Sequence, residues 1–467
     1  MRGIKETSER HQRCRPQGDA RRQNGKGNRE KMNREMEQRK PEKKPEKKTA
    51  GKTGAGQQKD FRRQQAPVQA QPTSIQAQQA PVRVQPTSVQ AQRAPVRVLQ
   101  VLGGTGLGGA ESRVMDSYRH LDRSRIQFDF CVHTQEEGFF DKEIESLGGH
   151  IYRVPRFRAV NWLAYRKAWK DFFRMHSIQG RPVYAAVHGH MTSTASIYLP
   201  IAKAAGVPLT IAHARSAGVD PGLKGMLTRF LRRNLGKKAD VCLTCSRLAG
   251  EAVFGKKMED AGRVTTVPNA IDASGFSFCA RTRARKRSEL GIGEREFVIG
   301  HVGRFGHMKN HAFLLDVFAQ IQKKIPASRL LLVGEGGLME SVREKAASLG
   351  LSDRVIFAGN QAQVADYYMA MDFFVFPSIF EGLPGSVIEA QAAGLRCLVS
   401  DSVTDEVLIT PLAEALPLSQ GAAAWAQRVL ARRDYEREQM AQAIKDAGFD
   451  VSDQVRFLER LYLGEGN

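Results

Sequence analysis

From Val96 onward one unit recurs along the chain: a short apolar run, a loop carrying Gly, Pro or His, and a stretch of helical period. VRVLQVL (96–102) leads through GGTGLGGAE into a helical stretch over 112–121, and FDFCVH (128–133), HIYRVP (150–155), AAVHGHM (185–191) and VPLTIAHARS (207–216) open further units. A second set begins at EFVIGHV (296–302) and continues through RLLLVG (329–334), RVIFAG (354–359), DFFVFP (372–377) and LRCLVS (395–400). Strands alternating with helices run parallel, and runs without a polar face need cover on both sides. The expected fold class is therefore α/β, with two doubly wound, Rossmann-like domains over 94–275 and 276–418. Residues 419–467 are expected to form closing helices (421–447 and 452–463). In such sheets ligands lie beyond the carboxyl ends of the strands, so chemistry is sought in the loops there.

The loop after DFFVFP carries the densest chemistry. Phe380 to Pro384 reads as a Gly/Pro turn, helical character starts near Ser386, and two carboxylates bracket the turn: Glu381 in the loop and Glu389 eight residues on. Backbone N–H groups at a helix start favour an anion, and Glu389 is spaced to accept hydrogen bonds from sugar hydroxyls beside it. Arg304 and Lys309 follow EFVIGHV and place two cations where a phosphate would meet the sheet. Gly334 to Gly337 form the next such loop.

VFPSIFEGLPGSVIEAQAA (375–393), HVGRFGHMKN (301–310) and VLGGTGLGGAE (101–111) together resemble the retaining, nucleotide-sugar-dependent glycosyltransferases of the GT-B architecture, family 4. The likeness covers roughly residues 96–418 and implies two domains facing across a cleft, with the closing helices of 419–467 packing back on the first domain. It implies that Arg304 and Lys309 stabilise the departing diphosphate, that Glu381 and His213 face the donor sugar, and that Glu389 accepts from ribose. Gly382 and Leu383 would offer backbone N–H groups, Gly334 belongs to the donor-side loops, and Phe357, Gly359 and Val364 would pass the nucleotide base. Gly108 and Gly109 would lie against the donor phosphates and the acceptor. No cofactor beyond the nucleotide-sugar substrate is implied, and no D-x-D occurs, which fits cations rather than a metal holding the diphosphate. The acceptor implied is lipid-linked or saccharide, as in polysaccharide assembly.

Other readings compete. Gly104, Gly106 and Gly109 meet the G-x-G-x-x-G spacing of a dinucleotide site, but that site wants an acidic residue at the end of the second strand, and Asp129 stands at the start of FDFCVH. An NAD-dependent oxidoreductase also leaves Glu381 and Glu389 without a use. His188, His190 and His213 fall at the carboxyl ends of strands and the H-G-H pair invites a metal, yet no third ligand of helical spacing and no carboxylate partner stands nearby, so no metal site is expected. Cys242 and Cys245 form a C-x-x-C, but along a strand a three-residue step puts them on opposite faces.

Composition bears on compartment and partners. Of the formal charge of +22, residues 1–94 carry +14, from 23 Lys/Arg against 9 Asp/Glu. This tail is poor in apolar residues and is expected to be disordered, with a 14-residue repeat in QAPVQAQPTSIQA (65–77) and QAPVRVQPTSVQA (79–91). It reads as a solvated extension or as an anion-attracting arm, which keeps a non-catalytic scaffold with a basic tail as a further alternative. Without aromatic residues among the charges before Phe61, no nucleic-acid partner is expected. Residues 222–238 read as a basic amphipathic helix, and a second basic stretch over 153–174 carries Trp162, Tyr165 and Trp169. Each is either a solvated helix face or a contact with an anionic membrane. Six irregularly spaced cysteines and a charged amino terminus fit the cytoplasm, with peripheral placement on the inner membrane face.

Overall fold

The computed structural model describes residues 94–465 apart from 217 and 219–221; the basic repeat-bearing tail lies outside the described residues. The first sheet is built from β1 (Val96–Leu102), β2 (Ile126–Val132), β3 (Ile151–Arg153), β4 (Tyr184–Gly189), β5 (Leu209–Ala214), β6 (Val241–Thr244) and β7 (Thr265–Thr266). They pair in parallel in the spatial order β3-β2-β1-β4-β5-β6-β7. Its principal helices are α1 (Gly109–His120), α2 (Trp162–Met175), α3 (Thr192–Ala204) and α4 (Leu223–Arg232). The second sheet comprises β8 (Phe297–Val302), β9 (Ser328–Val333), β10 (Val355–Phe357), β11 (Phe373–Phe376), β12 (Arg396–Ser400) and β13 (Ala413–Leu416), parallel in the order β10-β9-β8-β11-β12-β13. With it go α5 (Ala280–Glu289), α6 (His311–Lys324), α7 (Met339–Ser348), α8 (Val364–Ala370), α9 (Gly385–Ala392) and α10 (Gly421–Ala431), and α11 (Val451–Leu463) ends the chain.

Both sheets reverse their strand order beside their first strand, between β1 and β4 and between β8 and β11. A crevice opens at each reversal because the flanking connections leave to opposite faces. The four residues of β11 show why the apolar runs are continuous. Phe373 and Val375 pack with Leu314, Phe318 and Trp425 on one face, while Phe374 and Phe376 pack with Val387 and Tyr368 on the other. All four side chains are fully buried.

Four expectations differ from what the structure shows in detail. The amphipathic stretch 222–238 is two pieces, because Asn234 adopts a left-handed conformation (φ 63°) between α4 and a short helix, Leu235–Lys238. The stretch near 273–288, read as an irregular link, contains α5, whose Arg283 and Arg287 both reach Asp372 while Arg285 pairs with Asp366 at 2.6 Å. Ion pairs to the second sheet supply there the anchoring that its polar sequence lacks. The closing segment divides: α10 packs on α6 of the second sheet, whereas α11 crosses to α1 and β1 of the first. Cys242 and Cys245 lie in the same apolar cluster, since Cys245 comes just after β6 ends and strand alternation does not govern it. The five described cysteines are free, and no described helix is long and apolar enough to cross a membrane.

Candidate active site

The second sheet brings most of the expected residues to one place. Lys309 ends a 3₁₀ turn after β8, and its Nζ lies 2.9 Å from Glu381 Oε1 in the loop after β11, while sitting over the Phe376 ring at 4.3 Å. Arg304, five residues before Lys309, is exposed. The loops after β8, β9 and β10 are laced together: Gly334 N–H donates to Gly359 O at 2.8 Å, and Phe305 N–H donates to Glu335 O at 2.9 Å. Gly334 has φ +133°, and a Cβ there would run into the Gly303 carbonyl, so only glycine lets these backbones approach. Gly359 also has positive φ, at +68°, and Val364 opens α8 half-buried. These glycines shape the loop cluster, with Gly334 N–H and Gly359 O paired to each other.

Beyond the β11 loop, Gly382 and Leu383 are buried, and Leu383 O accepts from Asn269 Nδ2 of the first domain at 3.1 Å. Glu389 sits in α9 with its carboxylate doubly held: Oε1 accepts from Arg113 Nη2 at 2.9 Å and Oε2 from the Tyr368 hydroxyl at 2.9 Å. Burial, then the neighbouring Glu389, pushes the Tyr368 phenol well above its ordinary pKa, so it stays a donor. Arg113 is also buried, but Asp116 (3.0 Å) and Glu389 outweigh the cost to its charge and hold its pKa above the ordinary value.

On the first domain, Gly108 and Gly109 start α1 with no side-chain cap. The Glu111 carboxylate folds back against Gly108, where any Cβ would strike it, and burial raises its pKa. His213 ends up fully buried rather than facing open space. Its Nδ1 lies 3.0 Å from His188 Nε2, and His188 Nδ1 lies 2.6 Å from the Tyr462 hydroxyl of α11. The third ring, His190, bonds Gln100 Oε1 through Nε2 (2.9 Å) and receives Arg215 Nε at Nδ1 (3.3 Å).

The three histidines that the sequence sets at strand ends thus come together, since β4 and β5 are neighbours and one ring nitrogen of each lies within 4.8 Å of the others. Burial and the Arg215 cation keep all three neutral, with pKa values well below the ordinary histidine range. Both nitrogens of His190 are engaged and Arg215 stands against any cation, so the chemistry of the trio fits a hydrogen-bond network better than a metal cage.

Arg113, Tyr368, Asn269, Arg215 and Tyr462 were missed in sequence. Arg215 stood two residues after His213 at a strand end, which was a usable signal. Nothing local marks Tyr462 as a partner of His188, 274 residues away.

Comparison with known proteins matches both halves in order. The family model described as glycosyl transferases group 1 matches residues 282–443, and that of a glycosyl transferase 4-like domain matches residues 108–270. The putative glycosyltransferase EpsF of Bacillus subtilis is 33% identical over 374 residues, covering 78% of this chain and 96% of its own length. The UDP-Gal:alpha-D-GlcNAc-diphosphoundecaprenol alpha-1,3-galactosyltransferase of Escherichia coli is 26% identical over 282 residues, 59% of this chain and 72% of its own. Among solved structures, Anabaena HepE in complex with UDP shares the fold with TM-score 0.62 at 18% identity, covering 79% of this chain and 100% of HepE. Two facing doubly wound domains, the matched halves and a relative spanning nearly its whole length lead to one assignment: this chain belongs to the group 1 glycosyltransferases of the GT-B fold, family 4.

Proposed function

We propose that this glycosyltransferase moves a sugar from a UDP-sugar onto a hydroxyl of a lipid-linked or saccharide acceptor, with retention of configuration and without a metal, in exopolysaccharide, O-antigen or capsule assembly. The observation that carries the reading is the meeting of Lys309 and Glu381 at the β8/β11 reversal, with Arg304 and Glu389 on the loops and helix around it. The relatives' names, which include a UDP-Gal transferase acting on a diphosphoundecaprenol acceptor and a structure solved with UDP, support the donor and acceptor classes.

In this reading the bond from the anomeric carbon to the phosphate oxygen breaks, and negative charge grows on the diphosphate beside Arg304 and Lys309, where fixed cations lower the barrier. Glu381 exchanges Lys309 for sugar hydroxyls, and Glu389 takes the ribose hydroxyls in place of one of its present donors. The acceptor oxygen attacks the same face that the phosphate leaves, and the departing phosphate oxygen takes the acceptor proton. Retention then needs no enzyme nucleophile.

A lipid-linked acceptor calls for work at a membrane surface. Val160 (94% exposed) and Leu163 (81%) around the start of α2, and Leu223 (83%) and Phe230 (70%) on α4, stand out from the first domain. Arg158, Arg166, Lys170, Arg229 and Arg233 lie among them. An apolar rim studded with cations suits peripheral contact with an anionic bilayer, on its cytoplasmic face.

Calorimetric titration of UDP, GDP, ADP and NAD into the full chain in EDTA, repeated on Glu389→Gln, tests the reading. Metal-free binding of UDP that weakens in the variant supports it. Binding of NAD alone, or of no nucleoside diphosphate, sinks it.

A further inference from the structure

Arg215 is a half-buried cation whose hydrogen-bond partners are neutral. It is the first residue after β5, at the carboxyl end of the first sheet, with Nε on His190 Nδ1 (3.3 Å) and Nη1 on Asn269 Oδ1 (3.2 Å). The network assigns the protons around it. The Tyr462 hydroxyl donates to His188 Nδ1, His188 Nε2–H donates to His213 Nδ1, and His190 Nε2–H donates to Gln100, so none of the three rings offers Arg215 a negative charge. Among the described residues no carboxylate forms an ion pair with it. Glu111 acts on it only at longer range, and burial brings its pKa down to about 10. Arg113 beside it is different, being matched by Asp116 and Glu389. A half-buried guanidinium without a counter-charge is costly to hold. It is found where a ligand supplies the missing anion, and the carboxyl ends of parallel strands are where ligands bind.

We propose that Arg215 recognises a phosphate group of a substrate, as a second anion position on the first-domain side of the site. Arg's planar fork is already oriented by His190 and Asn269, which leaves Nη2 for a phosphate oxygen. Two substrates of the proposed reaction carry that chemistry: the diphosphate of a lipid-linked acceptor, and the donor diphosphate reaching across from Arg304 and Lys309. The inference rests on the transfer reading above, and binding of UDP by the unaltered chain reports on that reading separately.

The test titrates geranyl diphosphate and UDP into the full chain, Arg215→Gln, Arg215→Lys and Asn269→Ala, and follows thermal unfolding without ligand. Arg215→Gln is expected to lose at least tenfold in affinity for one of the two, which names the source: geranyl diphosphate for the acceptor, UDP for the donor. Its ligand-free unfolding midpoint should hold or rise, because an uncompensated charge has gone. Arg215→Lys should recover most of the affinity. Asn269→Asp, which keeps an acceptor for Arg215 but supplies it a counter-charge, should lose affinity as Arg215→Gln does, whereas Asn269→Ala, which removes both the tether and the bond to Leu383 O but keeps the cation, should lose less than threefold for geranyl diphosphate. Unchanged affinity for both ligands in a folded Arg215→Gln overturns the proposal. So does an equal loss in Asn269→Ala, which would make Arg215 only a tether between His190 and Asn269. Should Arg215→Gln not fold, Arg215→Lys decides: near-original affinity supports the proposal, and a loss matching Asn269→Ala overturns it.

Discussion

Arg113 and Glu389 meet across the two domains, Nη2 to Oε1 at 2.9 Å, with both side chains 9% exposed. The pair is asymmetric. Without Glu389, Arg113 still has Asp116 at 3.0 Å, whereas without Arg113 the Glu389 carboxylate keeps only the Tyr368 hydroxyl. Breaking a buried pair from one side costs about 3–5 kcal/mol when the remaining charge is stranded. Arg113→Met should therefore lose about 3 kcal/mol in urea unfolding, Glu389→Gln less than half of that, and the double variant should be more stable than Arg113→Met alone. A double variant no better than Arg113→Met would show that the pair is not the source of the cost.

Lys309 and Glu381 form a partly exposed pair, 17% and 23% exposed, on loops at the end of the sheet rather than in its core, so their substitution should bear on rate more than on folding. Lys309→Ala is expected to cut transfer by about 100-fold, the scale of losing one fixed charge at a developing anion. Its urea midpoint should stay close to that of the parent. Measured turnover within a few-fold of the parent would remove Lys309 from the leaving-group role.

Stability should respond to pH through the buried histidines. His188, His190, His213 and His301 are pushed well below their ordinary pKa by burial, and His311 to about 4. Between those values and the unfolded pKa near 6.5 the unfolded chain binds more protons, so stability rises with pH there. The contribution is whole above about pH 6.5 and is lost as pH falls below it, by up to about 1.4 kcal/mol per unit for each histidine. Urea midpoints at pH 7.5 and 5.5 should differ accordingly, and equal midpoints would contradict the buried, neutral state of these rings.

The exposed rim of α2 and α4 gives a binding prediction. Leu163→Asp with Phe230→Asp should reduce flotation with vesicles of anionic lipid several-fold, and leave the unfolding midpoint unchanged because both side chains are mostly exposed. Neutral vesicles should bind the parent weakly, and high salt should weaken its binding to the anionic ones. Equal binding by parent and variant would return this face to the role of a solvated surface.

Much of the candidate site was legible in residue order because its parts are local. Arg304 and Lys309 stand on one loop, and Glu381 and Glu389 on one loop and its helix, each set directly after an apolar strand whose carboxyl end must carry the ligand. The residues that complete it are not local. Arg113 comes to Glu389 from another domain, Asn269 to Leu383, and Tyr462 to His188, and no window of sequence contains the geometry of any of the three pairs.

Alternating apolar runs and helical stretches determined by themselves that the chain makes parallel, doubly wound sheets, since period and hydrophobicity are local properties that every packing must satisfy. Tertiary structure alone decided what each polar group meets. It turned a polar stretch into α5 by pairing Arg283 and Arg287 with Asp372, joined three histidines of two strands into one network, and left Arg215 among neutral partners. Hydrogen bonds and charges act over a few ångströms, and those distances are set by strand order and register, which residue order does not display.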